Sequence, residues 1–417
     1  MAIDGDFNRI SVIGLGYVGL PTAAVMANRG IQVLGVDSNP ATVERINKGE
    51  THIVEPDLDI LVRGAIASGN LRAVTTPEPA DAFIVAVPTP FGADHEPDLS
   101  YVERAAKSIA PVLAKGNLVI LESTSPVGTT ERFAGWLAAA RPDLGFPGHG
   151  SSVGVHVAYS PERVLPGRVL IELVDNDRVI GGLTEACGQR AKQLYSLFVQ
   201  GTCFLTSART AEFVKLAENA YRDLNIAFAN ELSLVCDKVR VDVWEAIELA
   251  NRHPRVNILK PGPGVGGHCI AVDPWFIVDS APELTPLIQA ARNVNDSKPD
   301  HVAKLVAEAA SGLAAPTLAC LGLAYKADID DLRESPAIEV IARLDHKRFR
   351  AVLVVEPHVE ALPSALATLP GLSLAPLETA LAKADIVLLL TDHAAFRSIG
   401  RARLDGKTVI DTRGIWR

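Results

Sequence analysis

Arg9-Ile10-Ser11-Val12-Ile13-Gly14-Leu15-Gly16-Tyr17-Val18-Gly19 is a short apolar run that breaks directly into glycines spaced G-x-G-x-x-G. A buried strand feeding a tight turn and then a helix has this order, and its glycines let the backbone approach a pyrophosphate at the helix N-terminus. A second apolar run, Val33-Leu34-Gly35-Val36, ends at Asp37. That is about 20 residues past the glycines, where an acid accepts hydrogen bonds from ribose hydroxyls. Its negative charge would repel a 2′-phosphate, so the expected cofactor is NAD rather than NADP. Glycines also serve ordinary tight turns, but here strand, helix start and acid stand in their required order.

Working outward, Ala82-Phe83-Ile84-Val85-Ala86-Val87 runs into Pro88-Thr89-Pro90, and Leu118-Val119-Ile120-Leu121 into Glu122-Ser123-Thr124-Ser125-Pro126. These resemble buried parallel strands with loops at their carboxyl ends. The pattern returns late in the chain at Leu318–Gly322, Val352–Glu356, Ala384–Leu390 and Val409–Asp411. There Gly322-Leu323-Ala324-Tyr325-Lys326 lacks the second and third glycines, so this copy is expected to hold no dinucleotide. Residues 202 to 253 contain neither Gly nor Pro and are expected to be helical. Asp242 and Glu245 have the spacing of a capping box that starts a second helix after Val241. The expected fold class is α/β, with two Rossmann-like doubly wound domains joined by a central long-helix segment, itself a natural dimer surface. The expected divisions are 1–205, 206–312 and 313–417. Pro142 to Gly154 reads as a mobile loop.

The length of 417 residues agrees with about two or three domains. No apolar run approaches the roughly 18 residues that span a bilayer, and Met1-Ala2-Ile3-Asp4-Gly5-Asp6 lacks the order of a signal peptide. A cytoplasmic protein without a membrane partner is expected. The net charge of −9 argues against non-specific nucleic-acid binding, and an anionic ligand would need a locally basic pocket. The five cysteines are scattered and never form C-x-x-C, so neither a disulfide framework nor a metal is expected.

Cys269 follows Pro261-Gly262-Pro263-Gly264-Val265-Gly266-Gly267-His268, a run that suits a backbone wrapped around a bound group. With His268 before it and Asp273 after it, Cys269 is the candidate nucleophile, whereas Cys187, Cys203, Cys236 and Cys320 read as small buried hydrophobes. Lys215, Asn219 and Arg222 share one helix face. They are either a solvated charged face or, among Phe213, Leu216, Ala217, Ala220, Leu224 and Ala227, a cation set in apolar surroundings for acid/base work. Glu162 lies between Pro161 and Pro166, in either a plain surface loop or a rigid functional one. Asn251-Arg252-His253-Pro254-Arg255-Val256-Asn257 places cations just past a helix end, which a cap explains as well as a ligand does.

Together with His52-Ile-Val-Glu-Pro-Asp-Leu58, Ser123-Thr-Ser-Pro-Val-Gly128, Pro161-Glu-Arg-Val-Leu-Pro-Gly167, Lys215-Leu-Ala-Glu-Asn219, Gly266-Gly-His-Cys269-Ile-Ala-Val-Asp273 and Asp331-Leu-Arg-Glu-Ser335, the sequence resembles the UDP-glucose/GDP-mannose dehydrogenase family along essentially its whole length. The resemblance implies oxidation of a sugar CH2OH to a carboxylate with two NAD in turn, and a UDP-sugar substrate held in part by the third division. It implies Cys269 as the nucleophile that captures the aldehyde. Lys215 would act as acid/base or oxyanion stabiliser helped by Asn219, Asp273 would orient the centre, and Glu162 and Thr124 would position or activate water. Gly14, Gly16, Tyr17, Val18, Gly19, Asp37, Thr89, Thr124 and Arg333 match cofactor contacts. Arg163, Val164, Lys215, Asn219, Arg222, His253, Arg255, Gly266, Tyr325, Lys326 and Arg413 match substrate contacts. A homodimer with sites shared between subunits is also implied. Departures from UDP-glucose members around His52-Ile53-Val54 and Asn251 to Asn257 point to UDP-N-acetylmannosamine, with UDP-N-acetylglucosamine and UDP-glucose as alternatives.

Overall fold

The computed structural model describes residues 7–92, 96–149, 154–165, 167–267 and 269–416. His268, Pro166 and part of the Pro142 to Gly154 stretch lie outside them. The chain forms two compact units. One runs to Glu218 and includes Trp275–Ser280, and the other holds Asn219–Pro274 and everything from Ala281 on.

The first unit is built on strands β1 (Arg9–Ile13), β2 (Gln32–Val36), β3 (Leu71–Val74), β4 (Ala82–Val85), β5 (Leu118–Leu121), β6 (His156–Tyr159), β7 (Arg178–Gly182) and β8 (Cys203–Ser207). They lie in the order β3-β2-β1-β4-β5-β6-β7-β8. β1 to β6 are parallel, β7 runs antiparallel to β6, and β8 follows β7. Alternate side chains serve opposite faces: Ile84 and Ile120 enter one apolar cluster, Phe83, Val85, Val119 and Leu121 the other. Burial on both faces is why β4 and β5 read as unbroken apolar runs.

The expectation of helix from residue 202 is corrected at its start, because Cys203–Ser207 is strand β8, paired with β7 from Arg178↔Cys203 to Gly182↔Ser207. Absence of Gly and Pro permits a strand as readily as a helix. Phe204, Leu205 and Thr206 suit a pleated surface, and the outer edge of β7 supplies the hydrogen bonds. The long helix then spans Ala208–Val239. Asp242 caps the next, Val243–Ala250, accepting from the N–H groups of Trp244 at 2.8 Å and Glu245 at 3.2 Å.

The second unit carries β9 (Thr317–Leu321), β10 (Ala351–Val355), β11 (Leu372–Leu374), β12 (Ile386–Leu389) and β13 (Thr408–Asp411) in the parallel order β11-β10-β9-β12-β13. Glu356 closes β10 as Asp37 closes β2. Its carboxylate is buried, accepting from Leu323 N at 2.7 Å and Ala324 N at 3.0 Å and facing His393 Nε2 at 3.1 Å. No helix among the described residues is long and apolar enough to cross a membrane.

Candidate active site

The glycine turn after β1 is closed at two positions and open at one. Gly14 has φ +91°, and a Cβ there would lie 2.6 Å from the Ala86 carbonyl oxygen. One on Gly19 would lie 1.8 Å from the Gly14 oxygen, whereas at Gly16 nothing stands within 4 Å. The outer glycines thus pack backbone on backbone, and the middle one leaves room for a pyrophosphate. Tyr17 and Val18 lead into the helix Gly19–Asn28. Asp37 stands beside the turn, Oδ2 accepting from Leu15 N at 3.1 Å and Oδ1 from Asn39 N at 2.9 Å. An open turn at a helix N-terminus with an adjacent carboxylate fits NAD. Buried Thr89 donates to the Thr124 carbonyl at 2.6 Å, tying together the loops after β4 and β5. Farther along, Ile53 is buried and Val54 exposed, and Asp37 acts on the charge of half-buried His52, whose pKa burial lowers.

Glu162 is not part of a plain surface loop. Because β7 is reversed, its first residue, Arg178, lies at the carboxyl ends of β5 and β6, where Glu122 and Glu162 emerge. Arg178 Nη2 donates to Glu162 Oε2 at 2.6 Å, and Nη1 stands 3.6 Å from Glu122 Oε1. Glu162 Oε1 accepts from Arg163 N at 2.7 Å, and Tyr195 donates to Glu122 Oε1 at 2.7 Å. Burial opposes the Arg178 charge, but the carboxylates of Glu162 and Glu122 outweigh it and hold its pKa above the usual value. Arg163, expected at the substrate, pairs with Glu218 through Nε at 3.0 Å and Nη2 at 2.6 Å. Val164 packs half-buried on one apolar cluster. On the same long helix Lys215 is buried and Phe213 half exposed. Buried Glu212 accepts from Gly128 N at 2.6 Å and from Thr130 N at 2.7 Å, fixing the loop that follows Thr124.

In the second unit Asn219 donates to Asp273 Oδ2 at 2.5 Å, and Asp273 N returns to the Cys269 carbonyl at 2.8 Å, so Asp273 links the helix residue Asn219 to the turn that starts at Cys269. Cys269 is exposed, and the other four cysteines are buried. The preceding loop is pressed against the loop after β9: a Cβ on Gly266 would lie 2.3 Å from the Glu334 oxygen and 2.8 Å from Tyr325 Cβ. Arg413 reaches Gly262 from the end of β13, its Nε donating to Leu390 O at 2.9 Å. Gly266 thus meets Tyr325 while Arg413 stands against Gly262 of the same loop, and Lys326, next to Tyr325 in sequence, is half-buried. Arg333 is paired with Asp331 at 2.7 Å and belongs to this unit, whereas the other expected cofactor residues belong to the first. His253 and Arg255 stand exposed on a loop that Asn251 closes through both backbone groups of Ile258, and Arg222 is exposed on the long helix. Asp328, His358 and His393 also converge, but His393 Nδ1 accepts the Asp328 N–H at 2.9 Å and Nε2 faces Glu356, so both ring nitrogens are engaged by the protein.

Sequence reasoning missed Glu122, Arg178, Tyr195 and Glu212. Glu122 carried a signal, a carboxylate ending an apolar run just as Asp37 does. Arg178 carried none, since only the reversal of β7 brings it to the site.

The sequence matches the UDP-glucose/GDP-mannose dehydrogenase family in its NAD binding domain over residues 8–199, its central domain over 209–297 and its UDP binding domain over 319–417. It is 61% identical over 416 residues to the NDP-N-acetyl-D-galactosaminuronic acid dehydrogenase of Ralstonia nicotianae, covering 100% of this chain and 98% of that one. It is 58% identical over 421 residues to the UDP-N-acetyl-D-mannosamine dehydrogenase of Yersinia pestis, covering 99% and 100%. The solved UDP-D-ManNAc dehydrogenase of Pyrococcus horikoshii superposes with a TM-score of 0.89 at 40% identity, covering 98% of this chain and 96% of that one. Open glycine turn, ordered domains and full-length relatives agree, and the chain belongs to the UDP-glucose/GDP-mannose dehydrogenase family as an NAD-dependent nucleotide-sugar dehydrogenase.

Proposed function

We propose that the protein is a cytoplasmic UDP-N-acetyl-D-mannosamine dehydrogenase that oxidises the sugar C6 hydroxymethyl to a carboxylate through a thiohemiacetal and then a thioester on Cys269. The carrying observation is that Cys269, alone among the five cysteines, is exposed, at the end of a glycine-rich loop. A thiol there can reach a carbonyl, and even an unperturbed thiol is a few per cent thiolate near neutrality. NAD, held by Gly14, Gly16, Tyr17, Val18, Gly19, Asp37 and Thr89, supplies the hydride acceptor in both oxidations. Lys215 serves as acid/base and, with Asn219, stabilises the oxyanion, while Asp273 orients that amide. Glu162 and Thr124 serve the hydrolytic water. Gly266, Tyr325, Lys326 and Arg413 hold the nucleotide sugar, joined by Arg163, Val164, Arg222, His253 and Arg255.

The mannosamine assignment draws on relatives from Yersinia pestis and Pyrococcus horikoshii that carry that name. The Ralstonia relative favours an N-acetylgalactosamine sugar as the second reading. Initial rates with UDP-ManNAc, UDP-GalNAc, UDP-GlcNAc and UDP-glucose decide between them, and UDP-ManNAc is expected to give the highest kcat/KM. With limiting UDP-ManNAc, about two NADH form per sugar, because the covalent aldehyde adduct waits for the second hydride transfer. One NADH per sugar with a free carbonyl product would refute the mechanism.

A homodimer built on the long helix is part of the same reading. Tyr221, Phe228 and Val235 recur every seventh residue and are 72%, 50% and 51% exposed, an apolar stripe that a second copy would cover. If Arg255 serves the partner's substrate, Lys215→Ala and Arg255→Ala are each nearly inactive as homodimers. After random subunit exchange in an equal mixture, half the dimers are mixed and half their sites intact, so about a quarter of wild-type activity returns. Absence of recovery after verified exchange would confine Arg255 to its own chain.

A further inference from the structure

Behind Glu162 lies a buried group of charges. Arg178 is shared unequally between two carboxylates, hydrogen-bonded to Glu162 at 2.6 Å and standing 3.6 Å from Glu122. The Glu122 side chain has no exposure. Tyr195 donates to its Oε1, while Glu122 Oε2 and the Arg178 Nε and Nη1 atoms have no hydrogen-bond partner among the described residues. The guanidinium lies 4.4 Å over the Tyr195 ring and 5.8 Å from that of Phe198. Two anions thus compete for one cation in a buried site, where charge interactions are strong.

We propose that Glu122 is a positioning residue for the water-activating step, acting through Arg178: when charged it draws the guanidinium away and leaves a Glu162 oxygen ready for a water proton, and when neutral it leaves Arg178 on Glu162. The inference rests on the assignment of Glu162 to hydrolysis of the Cys269 thioester. In that step the water oxygen bonds to the acyl carbon and one water proton passes to Glu162. The C–S bond breaks, sulfur leaves as thiolate, and the uronic acid forms.

The groups facing Glu122 single it out as a charge that changes near neutrality. Burial pushes its carboxyl up to about 7, and Glu162 adds to the rise that Arg178 opposes. Arg178, at the head of β7, keeps its proton. Tyr195, on the helix Glu185–Tyr195, is raised by burial and by Glu122 and also keeps its proton. Cys203, on β8 and within the field of Arg178, has its thiol raised by burial.

Glu122→Gln fixes this position as neutral. In wild type, kcat with UDP-ManNAc is expected to rise as pH passes through about 7. In the variant that limb is absent, kcat near pH 8 is about 10-fold lower, and acid-quenched enzyme accumulates the Cys269 acyl adduct by mass spectrometry. Thermal unfolding supplies a readout independent of turnover. Glu122 binds a proton in the folded state that the unfolded chain has released, so wild type loses stability relative to the variant between about pH 4.5 and 7, and the gap is constant above. A Tm gap that does not change with pH overturns the inference. So does a pH-dependent gap with an unaltered kcat profile, which would mean that Glu122 titrates without acting on Glu162. Glu162→Gln that hydrolyses the adduct at the wild-type rate would instead retire the assignment of Glu162 itself, and the inference with it.

Discussion

Cys269→Ser is expected to lower steady-state uronate formation by about 10³-fold or more while leaving NAD and UDP-sugar affinities within about threefold of wild type. The reason is chemical rather than steric. A serine hydroxyl is almost wholly protonated at neutral pH and needs a dedicated base, whereas even an unperturbed thiol, such as an exposed cysteine carries, is a few per cent thiolate. The residue's backbone role is retained, because the bonds from Val272 N and Asp273 N go to its carbonyl. Loss of turnover with folding and binding intact would therefore report on sulfur alone. Cys236→Ser, at a position only 9% exposed, serves as the control and should cost packing stability with chemistry unchanged. Near-wild-type turnover by Cys269→Ser would return Cys269 to a merely structural place.

Arg178→Leu is expected to destabilise the protein by about 3–5 kcal/mol near neutral pH, as breaking a buried ion pair from one side does. Arg178 is 3% exposed and bridges Glu122 and Glu162, so its loss strands two carboxylates in a buried site. The cost should shrink as pH falls through about 7, because the Glu122 carboxyl, pushed up to about 7 even beside Arg178, takes up a proton and is no longer an uncompensated charge. Urea unfolding of wild type and variant at neutral and acidic pH reads both effects. Arg178→Lys should restore stability only in part, because a single ammonium cannot reach two carboxylates and lie over the Tyr195 ring as the planar fork does. A loss under about 1 kcal/mol at neutral pH would mean that water reaches the cluster.

Much of the fold was legible because its signals are local. An apolar run ending in glycines can be read as a strand and turn, since the turn demands Gly14 at positive φ and the packing demands no side chain at Gly19. Asp37 and the Asp242 cap are local in the same sense, each placed by the strand it ends or the helix it begins. Cys269 stood out because its loop composition fits no packed element. The stretch from residue 202 failed for the converse reason. Lack of Gly and Pro states only what a segment avoids, and the free edge of β7 decided that Cys203–Ser207 became a strand.

The sequence by itself determined the α/β class, the cofactor turn and the candidate nucleophile, because each depends on residues within a few positions of one another. Only the tertiary structure decided which side chains surround Glu162. Glu122, Glu162, Arg178 and Tyr195 come from β5, the loop after β6, β7 and the helix Glu185–Tyr195, and nothing in their spacing links them. They meet because β7 runs antiparallel to β6, which carries Arg178 to the carboxyl edge of the sheet where both acids emerge, and strand direction is settled by long-range pairing rather than by local residues.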